Sequence, residues 1–282
     1  MLTRLTENEF DKWAAWAYGL ATNETYASYP SYRDGIKTRE DFVARARRGF
    51  ADEEVLLFRH DGEVCGWIQW YADPEESYAM TVSFLVESHA EEAAREFVAH
   101  VARTSPGVSL DIGLDGANAQ SAAALEKCGF TLLENAVNHT VFFAQYQPMP
   151  VPEGVALMTE DDEADFRRLH NWPDMYWNAD RILADLPNWK VYLHRENGAA
   201  VAALVCRAGD WPEVFSVDFG GGDFRPESYR AMMIACLNDI HGAGHTHMSY
   251  FEEEECALPI LEELGFQRVG RYLGYRKELK EE

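Results

Sequence analysis

The sequence predicts an α/β (α+β) chain made of two similar units, each a mixed, mostly antiparallel sheet flanked by helices. Three observations carry this prediction. The stretches Asn118–Phe130 and Glu254–Phe266 both read as a short helix that stops at a Gly-Phe pair and leads into a strand. Each is preceded by a β-like segment, Val108 to Leu114 and His247 to Phe251. Between the two copies lies Gln147-Pro148-Met149-Pro150-Val151-Pro152, whose prolines favour an extended, semi-rigid linker. The boundaries that follow are 1–147 for the first unit and 148–282 for the second.

The first unit opens with a strand, Leu2 to Leu5. Thr6 and Glu9 have the spacing of a capping box, and Phe10, Trp13, Ala14, Ala17 and Tyr18 recur at helical spacing. A Tyr-, Ser- and Pro-rich loop runs from Thr25 to Tyr32. Thr38 and Asp41 start a second helix with Phe42, Ala46 and Phe50 on one side. Val55–His60 and Glu63–Tyr71 pair across Asp61-Gly62, a strong hairpin turn. A third strand, Tyr78–Val86, and a helix, His89–Arg103, come next. Val108–Leu114, the Asn118 helix, and two strands at Phe130–Glu134 and His139–Gln145 complete the unit.

The second unit repeats this order. Leu157-Met158-Thr159-Glu160 echoes Arg4-Leu5-Thr6-Glu7 at the start of a helix. Val191–His194 and Ala199–Arg207 pair across Asn197-Gly198, and Val214–Phe219 forms the long strand. Pro226–His241 is a helix with proline in its first turn, where an amide proton is not needed.

Composition narrows the function classes. The 282 residues are 47% hydrophobic and 13% aromatic, enough for two cores. No apolar run approaches the ~20 residues of a membrane span, and the first ten residues lack the apolar core of a signal peptide. The 48 acidic against 25 basic residues give a formal charge of −23, which argues against a nucleic-acid partner. Five cysteines, with no CxxC spacing, suit buried reduced thiols in a cytoplasmic protein. His245 and His247 lack further ligands at a recognised spacing, so the sequence supplies no metal site.

The order strand, two helices, three-strand meander, helix, strand, helix, strands resembles the GNAT (Gcn5-related N-acetyltransferase) fold. The Gly-Phe segments are similar to that family's N-x-x-A-x-x-x-Y-x-x-x-G-F pattern, and the tandem arrangement resembles its double-GNAT members. The resemblance implies acetyl transfer from acetyl-CoA to an amine. The cofactor pyrophosphate would sit at a helix N-terminus after the long central strand, and the pantetheine arm in a splay between two central strands.

Measured against that pattern, the first unit is degenerate. Its strand-to-helix turn, Glu87-Ser88-His89-Ala90-Glu91-Glu92, has no glycine or arginine and carries three glutamates. Asn118 matches the family asparagine, but Leu125 stands at the tyrosine position. In the second unit Gly220-Gly221-Gly222-Asp223-Phe224-Arg225 offers glycines and an arginine, while Glu254 and Leu261 replace the asparagine and the tyrosine. The resemblance thus nominates Val217, Phe219, Gly220, Gly221, Gly222, Arg225 and Asn118 for acetyl-CoA, with Glu213, Asp218 and Tyr250 as candidate base and acid.

Two aromatic segments lie where the family often recognises its acceptor: Tyr26, Tyr29, Pro30 and Tyr32, and then Trp172, Pro173, Met175, Tyr176 and Trp177. Two readings stand side by side: walls of a substrate groove, or cover for a domain core or the interface between the copies. The expected acceptor is a small-molecule or peptide amine, with no membrane partner. A homodimer stays among the candidate assemblies. The alternative reading is a catalytically silent GNAT-like ligand-binding or scaffold protein.

Overall fold

The computed structural model describes residues 1–279 except Arg33, Glu53, Pro173 and Asp174; the side chains of Ser31, Phe50, Ala51 and Asp52 are also outside the description. Pro173 of the second aromatic segment and the Phe50 side chain therefore fall outside the described residues. The chain divides into two compact units, Met1–Asn138 with Val269–Glu282, and His139–Arg268.

In the first unit, strand β1 (Leu2–Arg4) leads to helices α1 (Glu7–Ala21) and α2 (Arg39–Asp52). Thr38 caps α2 reciprocally: its amide donates to Asp41 Oδ2 at 2.8 Å and the Asp41 amide donates to Thr38 Oγ1 at 3.3 Å. At α1 the box does not form. Thr6 Oγ1 instead donates to Glu9 Oε2 at 2.9 Å and takes no backbone amide. Strands β2 (Glu54–His60), β3 (Glu63–Asp73) and β4 (Tyr78–Val86) form the antiparallel meander. Helix α3 (Ala90–Thr104), strand β5 (Ser109–Asp115), helix α4 (Ala119–Lys127) and strand β6 (Thr131–Phe142) follow, the residues of β6 from His139 on belonging to the second unit. The two strands expected between Phe130 and Gln145 are one. No glycine or proline interrupts 131–142, so the strand continues until a 3₁₀ turn at Phe143–Gln145.

Period-two alternation on β2 gives this unit two apolar faces. Leu56 and Phe58 join Ile68, Phe84, Phe97 and Val101 on one side. Val55 and Leu57 join Phe10, Phe42, Trp67 and Leu85 on the other.

The second unit has β7 (Val155–Leu157), α5 (Glu163–Leu169), α6 (Ala179–Ala184), β8 (Trp189–Glu196), β9 (Ala199–Arg207), β10 (Glu213–Phe219), α7 (Pro226–Gly242), β11 (His247–Glu252) and α8 (Leu258–Glu263). Thr159 and Asp162 make the full capping box ahead of α5. On one face of the sheet Leu204 and Val214 share a core with Met232, Met233 and Leu237 of α7; on the other Val191 and Val205 share a core with Phe166 of α5 and Ile182 of α6.

The last strand, β12 (Gln267–Glu278), pairs antiparallel with β5 from Tyr272↔Asp115 to Glu278↔Ser109. Its closing part thus belongs to the first unit, whereas residues 139–147 belong to the second. Contacts do not part the chain at the proline linker, because hydrogen bonding to β5 assigns the terminal strand regardless of its place in the sequence.

Candidate active site

In each unit a parallel strand pair starts together and then separates. β4 and β5 are in register only at Tyr78↔Ser109, Ala79↔Leu110 and Met80↔Asp111. β10 and β11 are in register only at Glu213↔Ser249 and Val214↔Tyr250. A bulge sits just past each point of separation. The β3–β4 register jumps between Gln69↔Ser83 and Trp70↔Thr81, leaving Val82 as the extra residue. The β10–β9 register jumps between Val214 and Ser216, leaving Phe215. A bulge bends its strand away from the neighbour, which opens the splay.

The two bulges face different surroundings. Val82 lines a cleft with Ser28, Tyr29, Tyr32, Phe42, Arg45, Gln69 and Ser83. Tyr29 and Tyr32, singled out as acceptor-loop aromatics, are both on its wall. Burial, partly offset by Arg45, pushes the Tyr32 phenol up to about 12, so it stays a neutral donor. Among the described residues, Ser83 Oγ is buried with no hydrogen-bond partner. In the second unit, Phe215 instead packs edge-on against Trp189 at 5.6 Å and lies 6.4 Å from the His170 ring.

Of the nominated acids and bases, Glu213 begins β10 at half-burial. Asp218 is 3% exposed and fully engaged. It accepts from His170 Nδ1 at 2.8 Å, from Trp172 Nε1 at 2.6 Å and from Ser216 Oγ at 3.1 Å. His170 Nε2 donates to the Trp177 carbonyl at 2.8 Å. Burial acts to lower the His170 pKa, but the hydrogen bond and charge of Asp218 and the Trp177 carbonyl outweigh it and raise the value.

Tyr250 is 4% exposed, inside the core beneath α7. Burial and the neighbouring Glu252 hold its phenol well above the ordinary value. Tyr229 also donates to Glu252 Oε2 at 2.8 Å, and the Glu254 amide donates to Oε1 at 2.9 Å. Burial raises the Glu252 pKa against these donors.

Of the nominated cofactor residues, Val217 and Phe219 are half-buried and pack on the core beneath α7. The Gly220 amide donates to the Val201 carbonyl at 2.8 Å, and the Gly222 amide to the Phe219 carbonyl at 3.0 Å. Gly221 and Gly222 have φ of +89° and +83°, and a Cβ built on either meets nothing within 4 Å. The bend is therefore open to its surroundings and leads into the N-terminus of α7. Arg225 precedes Pro226 and reaches Glu196 Oε2 at 3.4 Å.

Asn118 sits in the other unit, so the structure does not join it to the glycine bend. It caps α4, accepting from the Ser121 amide at 3.2 Å and donating through Nδ2 to the Ala27 carbonyl at 3.2 Å. Both ends of the side chain thus tie the acceptor-loop segment to α4.

In the first unit the strand-to-helix turn carries side chains in place of glycines. His89 is the N-cap of α3 at φ 58°, stacked on His60 with ring centroids 3.6 Å apart. His60 Nδ1 lies 2.7 Å from Glu92 Oε2. Neither this group nor His170 was legible as a cluster in the sequence. His170 follows α5 with no motif around it, and His60 is joined to His89 only because a hairpin strand ends beside a helix start. Among the cysteines, Cys65, Cys206 and Cys236 are buried and all five are free, but Cys256 is exposed.

No sequence-family model matches this chain, and no curated protein matches it in sequence. Solved structures do. A GCN5-related N-acetyltransferase from Sphaerobacter thermophilus is 13% identical, with TM-score 0.65, over 99% of this chain and 96% of that one. A tandem GNAT protein from the clavulanic acid biosynthesis pathway is 14% identical, with TM-score 0.58, over 100% and 99%. A putative acetyltransferase from Pyrococcus horikoshii is 11% identical, with TM-score 0.55, over 100% and 91%. The chain has the GNAT acetyltransferase fold. A neighbour that is itself a tandem GNAT protein is matched along the whole of this chain. Among the described residues, no helix is long and apolar enough to cross a membrane.

Proposed function

We propose that the protein is an acyl-CoA-dependent N-acyltransferase that moves an acetyl group from acetyl-CoA to a primary amine of a small molecule or peptide. The observation that carries this reading is the open bend Gly220–Arg225, placed after a strand that has parted from its parallel neighbour. Among the described residues the amides of Gly221 and Asp223 have no backbone acceptor, and left-handed glycines at 221 and 222 leave room for a diphosphate. The α7 N-terminus adds the positive end of its dipole. The thioester arm would enter the splay beside β10, and a neutral amine would attack its carbonyl carbon. Thiolate leaves as the tetrahedral intermediate collapses, and takes up a proton to become the free thiol. Acidic surface charge favours a cationic acceptor in the encounter.

One observation favours a second reading, a ligand-binding protein without catalysis. Asp218 is saturated by three donors, and Tyr250 is enclosed in the core. Both lack the exposure that a working base or acid needs.

Calorimetric titration with acetyl-CoA, followed by thiol release across an amine panel, separates the two. The enzyme reading expects binding that Gly221→Glu abolishes, and release of free CoA with at least one amine. Binding lost in Gly221→Glu but with no thiol release supports the ligand-binding reading. Absence of acetyl-CoA binding to the wild-type chain sinks the enzyme reading and leaves a scaffold or a protein for another ligand.

A further inference from the structure

The strand-to-helix turn of the first unit faces a cluster that suits a cation. His60 ends β2, His89 caps α3, and Glu92 lies in the first turn of α3. One donor atom from each falls within 4.8 Å of the other two. His60 Nδ1 and Glu92 Oε2 share a proton at 2.7 Å, and His60 Nε2 faces Asp61 Oδ2 at 3.5 Å. The backbone of His89 is in the left-handed region, which folds its ring over His60 with the planes 13° apart. His89 gives its own helix no side-chain cap, so its ring is not committed to α3.

From this geometry we propose that His60, His89 and Glu92 form a binding site for a divalent transition metal, Zn²⁺ in the first instance. Two imidazole nitrogens and a carboxylate oxygen, with water in the fourth position, make a donor set suited to zinc and poorly suited to magnesium. Tetrahedral zinc, with bonds of about 2.0–2.2 Å, needs donors roughly 3.3 Å apart. His60 and Glu92 open slightly to reach that spacing, and the exposed His89 ring swings out of its stack so that a nitrogen lone pair points inward. The metal replaces the proton held between His60 and Glu92, and that proton leaves to solvent. Local charge agrees. The Asp61 carboxylate stands beside the cluster, and no glycine or arginine in Glu87–Glu92 offers a cradle for an anion. Bound metal would fasten the end of the β2–β3 hairpin to α3.

Zinc chloride is titrated into the full chain by calorimetry, with magnesium chloride as control, and the thermal midpoint is followed. The expected result is one zinc per chain, no magnesium response, and a midpoint raised by roughly 5 °C at saturating zinc. Co²⁺ should give the visible bands of a nitrogen- and oxygen-ligated ion without sulfur charge transfer, which rules out the cysteines. Glu92→Gln and His89→Asn, both at accessible positions and the latter tolerant of the left-handed backbone, should each weaken zinc about tenfold or more. Their circular dichroism should match wild type. The proposal is overturned if about 100 μM zinc produces neither heat nor a midpoint shift. It is equally overturned if both well-folded variants bind zinc as the wild type does, or if cobalt shows thiolate ligation.

Discussion

His170 and Asp218 form a buried pair, Nδ1 to Oδ2 at 2.8 Å, with the histidine side chain at 0% exposure. The other histidine nitrogen meets a carbonyl, which can only accept, so the ring bridges strand β10 and the segment after α5 as a donor at both ends. The carboxylate that sequence reasoning nominated as a base is here the anchor of a cation. Trp172, 56% exposed, is drawn onto the same carboxylate through its indole N–H.

Asp218→Asn should therefore act on stability. Removing one partner of a buried ion pair costs about 3–5 kcal/mol. The pH dependence has a defined sign. A histidine whose pKa is raised by folding contributes stability that is full below its unfolded pKa of about 6.5 and is lost as pH rises through the higher folded value. Urea unfolding of wild type and Asp218→Asn across pH 5.5 to 9 should show the gap narrowing upward from pH ~6.5. A gap that is constant or widens with pH would exclude a protonated His170.

The Tyr229–Glu252 bond permits a second test. Burial raises the Glu252 pKa, while Tyr229, Tyr250 and two backbone amides oppose that rise. For an acid raised by folding, the linked stability is full below its unfolded pKa and lost as pH climbs through the folded one. Tyr229→Phe deletes one donor to the ionised form. It should cost about 1.5–3 kcal/mol at pH 8, and less at pH 5 where more of the carboxyl is protonated. Chemical denaturation at the two pH values reads the difference.

The sequence made the elements legible where local chemistry decides them. Asp61-Gly62 and Asn197-Gly198 both turn hairpins, with left-handed backbone at each of the four residues. Gly129 and Gly265 both end helices at φ +81° and +90°. What stayed hidden depends on strand order in space. Nothing in 267–278 announces that β12 pairs with β5, because its alternation would suit any antiparallel neighbour. The candidate site divides the same way. The glycine bend is a local feature and was readable. The burial of Tyr250, and the engagement of Asp218 by residues up to 48 positions away, required the packed sheet.

Gly113 and Tyr272 make a close approach across the β5–β12 pairing. A Cβ on Gly113 would lie 2.6 Å from the Tyr272 ring, which itself stacks on Tyr29 at 5.1 Å. Gly113→Ala should overpack this contact and cost about 1–3 kcal/mol. Because the obstacle is a single ring, pairing the change with Tyr272→Leu should cost less than the sum of the two single substitutions. Urea unfolding of the four proteins of that cycle gives the coupling, and strict additivity would show that the ring moves aside freely.

The terminal strand supplies the last prediction. β12 covers the edge of β5, and Arg276 grips Asp111 with two bonds of 2.7 Å while Lys277 Nζ donates to the Cys128 carbonyl at 2.7 Å. A fragment of residues 1–147, the unit that the proline linker suggests, keeps β5 but loses this partner. Its edge then presents unpaired amides and carbonyls beside an apolar face, a state prone to aggregate. We expect that fragment to be insoluble or to lack a cooperative unfolding transition, and a synthetic peptide of residues 267–282 to restore both solubility and the transition. A Pro substitution at Tyr275 in that peptide should abolish the rescue, since it interrupts the ladder opposite Ile112. A fragment 1–147 that melts cooperatively by itself would mean the first unit is complete without the strand.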